Sequence, residues 1–346
     1  MKKITLYLCL SALILFASCN PEQPQPVDPT AHGTYAYLLN EGSWGSNNAE
    51  ISRVNIADGA IETNWFSRAN GRGLGDVAQD LLHYGNKLYA TVYMSNVLEV
   101  IDPATGRSIK QLDFGTRGPR YLACHDGKVY VTCYDRTVAR IDTATLAIEA
   151  SCPLSGMQPE QLCVLGNKLY VCNSWQYDNN GNCVYDSTLS IVDIASFTEV
   201  ATLVVGYNPG KVKALDSQRL LVLCAGDYGT HNAATLLLNT ADNSLQPLPI
   251  AATNCDTYQG RIYSYAVTYD DDYQPTAAFY CDNTPILQSH SATLANAYGI
   301  NVNPANGDLY VCNSPYGANA DLYCFSPDGT ERWHVEAANY ASKIVF

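Results

Sequence analysis

Positive charge is scarce in this chain. Lys and Arg number 20 against 33 Asp and Glu, for a formal net charge of −13. Binding to a nucleic-acid backbone needs a basic face, so DNA and RNA are excluded as natural partners. The six histidines are His32, His83, His125, His231, His290 and His334. None falls in an HExxH motif, and no GxSxG elbow or phosphate-binding P-loop occurs. No CxxC pair and no Cys/His cluster has zinc spacing. Beyond the first 18 residues no apolar run approaches the length of a membrane span. Sustained helical periodicity is also missing, so a helical bundle is excluded.

What the chain does contain begins with a targeting segment. MKK (1–3) is a basic start, ITLYLCLSALILFA (4–17) an apolar core and ASC (17–19) a small-residue end. The Cys at that boundary looks like a lipobox, with Phe16 where the strict form has Leu. Residues 1–18 are therefore expected as a lipoprotein signal peptide, with Cys19 lipidated. An ordinary cleaved signal peptide is the alternative. The polar, Pro-rich NPEQPQPVDPT (20–30) favours the anchor, because such a stretch tethers a domain rather than folding. The expected organisation is leader 1–18, tether 19–33 and folded domain 34–346.

Thirteen cysteines minus Cys9 and Cys19 leave 11 in the folded domain. Many sit in strand patterns, such as YVCN at 170–173 and 310–313, which suits buried small hydrophobes. Export permits oxidation, and Cys312–Cys324 and Cys172–Cys183, each bracketing a loop, are the pairs to test first.

The domain is a sevenfold repeat. YAYLLN, KLYATV, KVYVTC, KLYVCN, RLLVLC, RIYSYA and DLYVCN start at 35, 87, 128, 168, 219, 261 and 308. A spacing in the forties with several short strands per copy predicts a β-propeller, all-β, with seven blades of four strands. We letter the strands A to D outward from the channel, with the repeated run as B. The chain starts on a B strand and ends on SKIVF (342–346), which reads as strand A. The C-terminal strand is thus expected to complete the first blade and close the ring, leaving no open seam.

Antiparallel strands put the B–C and D–A loops on one face and the A–B and C–D turns on the other. The A–B turns are minimal, as in HDGK (125–128) and LGNK (165–168). The long segments are B–C or D–A: NEGSWGSNNA (40–49), RANGRGLGD (68–76), NSWQYDNNGNCVYDS (173–187) and VTYDDDYQPT (267–276). Long loops on a rigid ring build sites, so this face is the expected working face. The Asn that ends strand B in three copies reads as a turn residue.

The chain carries 25 Tyr against 7 Phe. Tyr has an apolar body and a polar tip, which suits a wet binding face. On the B–C loops the expected ligand-binding residues are Trp44, Tyr93, Tyr134, Trp175, Tyr228, Tyr273 and Tyr316. On the D–A loops they are Arg72, Arg117, Arg120, Tyr207 and Tyr298. Stacking surfaces beside guanidinium donors fit a sizeable neutral ligand rich in amides or hydroxyls. No catalytic residue or metal ligand stands out. The acidic run Asp270–Asp272 lacks EF-hand spacing and reads as a solvated tip. Asp76 and Glu160 are the carboxylates that would have to meet for glycoside hydrolysis, but nothing singles them out. A non-enzyme without a catalytic cofactor is expected.

The pattern KLYV…LEVIDPATG…GPRYL resembles the YncE-like propellers, over residues 35–346. The opening LLNEGSWGSNNAEIS with NGRGLGDVAQ (70–79) is similar to the surface propeller lipoproteins of gut Bacteroidetes, among them the BtuG-type cobalamin-capture proteins. That resemblance implies cobalamin or a related corrinoid as ligand, a TonB-dependent outer-membrane transporter as partner, and a lipid-anchored, surface-exposed location. The alternatives are a glycan-binding or protein-interaction propeller and, further off, a lactonase- or quinoprotein-type enzyme.

Overall fold

The computed structural model describes residues 35–346. The leader, Cys19 and the tether lie outside the described residues. Seven four-stranded antiparallel sheets follow one another along the chain. The strands A of blades 2 to 7 are Ala78–Tyr84, Pro119–His125, Pro159–Leu165, Pro209–Ala214, Asn254–Tyr258 and Ala297–Val302. Blade 1 is closed as expected. Its strand A is Ala341–Val345, which pairs antiparallel with strand B, Tyr35–Asn40, in the register Leu38↔Ile344.

Burial explains the sequence pattern strand by strand. Strands B such as Lys87–Val92 and Lys128–Cys133 are buried from their second residue on, because neighbouring blades cover both faces. They read as continuous apolar runs for that reason. Strand D of blade 3, Ala147–Pro153, is an outer edge and alternates between exposed and covered positions. The core is a series of layers between blades. Tyr89, Leu98 and Val100 of blade 2, for example, pack on Leu122, Val129 and Val131 of blade 3.

Neighbouring strands A are also stitched across the channel wall by side chains. Asp80 Oδ2 accepts from Leu122 N (2.9 Å), Gln161 Oε1 from Val212 N (3.1 Å), Asp256 Oδ2 from Val302 N (2.9 Å) and Asn301 Oδ1 from Ile344 N (3.0 Å). Lys343 salt-bridges Asp80 at 2.6 Å and Lys213 salt-bridges Asp256 at 2.5 Å. Asp80 and Asp256 thus each join strands A of neighbouring blades.

Three local points refine the reading of the sequence. Segment 68–76 is not all loop. A short helix, Trp65–Asn70, wedges Trp65 and Phe66 into the core cluster that joins strands of blades 1 and 2. The Glu50 carboxylate accepts from Phe66 N (3.0 Å) and Ser67 N (3.2 Å) at its first turn, satisfying donors that have no helical partner. The longest loop of blade 4 is itself a hairpin, Trp175–Tyr177 paired with Cys183–Tyr185. Neither candidate disulfide forms: all eleven described cysteines are free thiols, in line with the buried-hydrophobe reading. Cys312 lies opposite Leu322 and Cys324 opposite Tyr310. The two are thus diagonal neighbours at about 7–8 Å, beyond comfortable disulfide reach. Cys172 is buried while Cys183 is exposed on the hairpin. Eight of the eleven are buried, as small hydrophobes are.

Candidate functional site

The mouth of the channel is shaped by a device repeated in six of the seven blades. At the loop-face end of strand A the register with strand B slips by one residue, as between Ala78 and Asp80, Pro119 and Leu122, Pro159 and Leu162, and Ala297 and Gly299. Pro209/Lys211 and the Ala341–Lys343 pairing show the same slip, and blade 6 does not. Such a β-bulge re-aims the side chain at the irregularity. A matching backbone bond fixes the residue just after strand B. Its N–H donates to the carbonyl just before strand A: Glu41 to Tyr340, Tyr93 to Val77, Tyr134 to Gly118, Ser174 to Gln158, Ala225 to Asn208 and Ser314 to Asn296, at 2.8–3.3 Å. Glu41, Tyr93 and Tyr134 are rigidly placed at the mouth by that bond.

The bulged residues of blades 2 to 4 join into a collar. Arg120 Nη2 donates to both oxygens of Glu160, at 3.1 and 3.0 Å, and Nη1 to Gln79 Oε1. Tyr134 donates its hydroxyl to Glu160. The Arg120 guanidinium stands 4.5 Å from the Tyr134 ring centroid and 4.9 Å from that of Tyr93. Both charges are nearly covered, so each depends on the other. At the opposite seam, Tyr298 donates its hydroxyl to Glu41 at 2.9 Å. Burial pushes the Glu41 carboxyl up to about 7, against the lowering effect of that hydrogen bond. The Tyr298 ring is partly open to solvent, but desolvation of its hydroxyl at the mouth, and then the Glu41 charge, raise the phenol. Lys211 of blade 5 has no salt-bridge partner among the described residues, and burial lowers its pKa.

Around this collar the aromatics form clusters. Trp44 lies 6.2 Å from Tyr93, which lies 5.2 Å from Tyr134. Tyr340 stands 6.4 Å from both Tyr298 and Tyr316. Trp175 meets Tyr177 edge-on at 5.1 Å on the blade 4 hairpin. Tyr228 approaches Tyr185 at 6.3 Å, linking that hairpin to blade 5. Tyr207 stacks on His231 at 3.5 Å. Tyr273 is exposed at the tip of the blade 6 B–C turn. Among the described residues eight aromatics are exposed: Trp44, Tyr177, Tyr207, Tyr228, Tyr269, Tyr273, Tyr298 and Tyr316. All eight lie on B–C or D–A segments or at the strand ends that lead into them.

All twelve expected residues lie in segments of this face, but the guanidinium groups of Arg72 and Arg117 are already engaged. Arg72 Nη2 binds both oxygens of the fully buried Glu99 at 2.9 Å, and its guanidinium lies 5.0 Å from the Phe66 ring. Arg117 Nε binds Asp135 at 2.9 Å, and Nη2 binds Ser151 Oγ at 3.0 Å. Each holds strand ends together. Asp76 caps Gly45 N of the blade 1 loop (3.1 and 3.0 Å), while Glu160 belongs to the collar. Asp270 organises its turn by accepting from Asp272 N and Gln274 N.

The strand-ending Asn is also corrected. Asn40, Asn173 and Asn313 are buried hubs rather than turn residues. Asn40 Nδ2 reaches Ala338 O at 2.8 Å, Asn173 Nδ2 binds Thr188 and Ser190 hydroxyls at 2.9 Å, and Asn313 Oδ1 accepts from Asn296 N at 3.0 Å. They pin the base of the loops that carry the aromatics.

A cleft of about 140 Å³ lies on the turn face, lined by Arg261 and Asp328 among others. That is well short of the roughly 300 Å³ of a small-ligand pocket. Glu41, Gln79, Tyr185, Tyr340 and the Asp227–His231 pair join the site without having been marked by the sequence pattern. Pro at the head of strands A (GPR, QPEQ, NPGK) is the signal for the bulges, since Pro opens strands where pairing is irregular.

Residues 33–346 match the family described as "Domain of unknown function (DUF5074)". The chain belongs to the DUF5074 family. No curated protein matches it. Among solved structures the DUF5074 chain is similar to the WD40 β-propeller domain of Doa1, at 11% identity and TM-score 0.56, over 80% of this chain and 84% of that one. It is similar to the computationally designed Ika8 protein, at 11% identity and TM-score 0.53, over 90% of each chain. A chain of the Mitotic Checkpoint Complex aligns at 12% identity and TM-score 0.54, over 90% and 96%. At such identities the likeness concerns the fold alone.

Proposed function

We propose that this propeller is a capture protein and not an enzyme. It holds cobalamin or a related corrinoid on the loop-rich face and passes it to a TonB-dependent outer-membrane transporter. Cys19 anchors it to the outer membrane, with the ring exposed at the cell surface. The observation that carries the binding role is the one-sided placement of the exposed aromatics. Ordinary surfaces scatter such residues singly, and a clustered exposed apolar set marks a binding surface. A broad ligand with an apolar ring face and peripheral amides suits tyrosines that stack and hydroxyls that hydrogen-bond. The corrinoid and the transporter rest on the resemblance of LLNEGSWGSNNAEIS and NGRGLGDVAQ to the BtuG-type proteins. The test is gel filtration of residues 31–346 with cyanocobalamin at micromolar concentration, following visible absorbance. Co-elution supports the reading. Its absence, with retention on a glycan column instead, would move the face to the sugar-binding alternative.

A further inference from the structure

The loop of blade 5 carries a histidine built unlike the others. His231 Nδ1 lies 2.6 Å from Asp227 Oδ2 and 3.1 Å from Thr230 Oγ1. The carboxylate fixes the tautomer with the proton on Nδ1, which leaves the lone pair on Nε2. Nε2 has no hydrogen-bond partner among the described residues, and the ring is partly exposed. Tyr207 holds the imidazole plane from one side, 18° from parallel. The backbone beneath is closed by Asp227 N donating to His231 O at 3.1 Å. Asp227 Oδ1 already organises that turn by accepting from Gly229 N (2.9 Å) and His231 N (2.7 Å). Turn formation therefore does not require the second oxygen to hold the imidazole. A carboxylate on one ring nitrogen and a free lone pair on the other is the arrangement found behind metal-ligating histidines.

The remaining described histidines are differently placed. His83 Nδ1 contacts Phe346 O at 2.7 Å, and His125 sits at an A–B turn beside Asp126. His290 and His334 share the carboxylate of Glu331.

We propose that His231 is an axial ligand for the metal of a metallated macrocycle held on the aromatic face, with Asp227 as its positioning residue. This rests on the corrinoid reading above and adds a bond to it. Imidazole Nε2 replaces a water on the metal; no electrons are transferred, and the proton stays on Nδ1.

The experiment uses residues 31–346 with cob(II)inamide, a corrinoid lacking its own nucleotide base. Electron paramagnetic resonance reads the axial atom directly. A single ¹⁴N ligand splits the cobalt lines into triplets, and ¹⁵N-histidine labelling turns them into doublets. The wild-type complex should show both patterns. His231→Ala should co-elute with the corrinoid, bind it about tenfold more weakly and lose the splitting. Asp227→Asn should keep the splitting with weakened affinity. A co-eluting wild-type complex without nitrogen splitting, or a His231→Ala complex that retains it, overturns the proposal and leaves the capture reading standing. Failure of wild type to co-elute with either cob(II)inamide or cyanocobalamin overturns both.

Discussion

The two faces of the ring come from the same repeat, yet they differ in what the chain spends on them. On the turn face, strands join through A–B connections as short as His125–Lys128 and Leu165–Lys168. On the loop face, the connections hold a hairpin, a helix, a collar of bulged side chains and all eight exposed aromatics. The scaffold needs only that strands be joined. The loop face exceeds that need, and the excess is organised in two layers. Buried polar groups (Arg120, Glu160 and the strand-ending Asn residues) hold the loops, and exposed rings stand above them.

Substitutions can separate these layers. The largest effect is expected at the collar. Arg120→Ala strands the Glu160 carboxylate and should cost about 3–5 kcal/mol in urea unfolding. Replacing both partners together, as Arg120→Met with Glu160→Leu, should recover most of that loss. Trp44→Ala, Tyr228→Ala and Tyr273→Ala combined should weaken cyanocobalamin about 100-fold by titration calorimetry, with little change in stability. The matched turn-face set, Asn86→Ala, Lys87→Ala and Lys168→Ala, should leave affinity unchanged. Equal losses in both sets would erase the distinction between the faces.

Asn173→Ala tests the supporting layer. It leaves buried hydroxyls unpaired and should cost about 1–3 kcal/mol by denaturant, and the loosened base of the Trp175 loop should weaken cyanocobalamin binding less than the triple aromatic variant does. Glu41 supplies a pH dependence. Its carboxyl titrates near 7 in the folded chain, against an ordinary 4.5. The folded state therefore holds the proton more tightly, so this group's contribution is complete below pH 4.5 and is lost as pH rises through 7. Glu41→Gln should flatten that decline, raising Tm at pH 8 and leaving it unchanged at pH 4. Cys183→Ser should be the mildest change, within about 0.5 kcal/mol. Thiol titration of residues 31–346 under denaturing, non-reducing conditions should count eleven.

The ring was legible because blade repetition leaves a period, and because a strand buried on both faces must be apolar from end to end. The sorting of long from short connections followed from strand alternation alone. The finer contents of the site did not. Arg72 and Arg117 lie in the right segments, but their partners Glu99 and Asp135 come from strands and turns distant in sequence. A B–C or D–A position gives the segment and not the direction of a long side chain. Asn40, Asn173 and Asn313 looked like turn residues because Asn ends many strands, whereas their amides are consumed by buried partners. Glu41 acquires its character from burial at the closed seam, and the His231 ring is set by Asp227 and packed by Tyr207 from another loop, which the strand repeat does not encode.

The central claim is that binding belongs to one face. Hydrogen–deuterium exchange of residues 31–346, with and without cyanocobalamin, reads that most directly. Protection should gather in 41–49, 174–187, 225–233 and 314–318 and spare the turns at 85–86, 126–127 and 166–167. Protection on those turns, or none anywhere, would contradict the account.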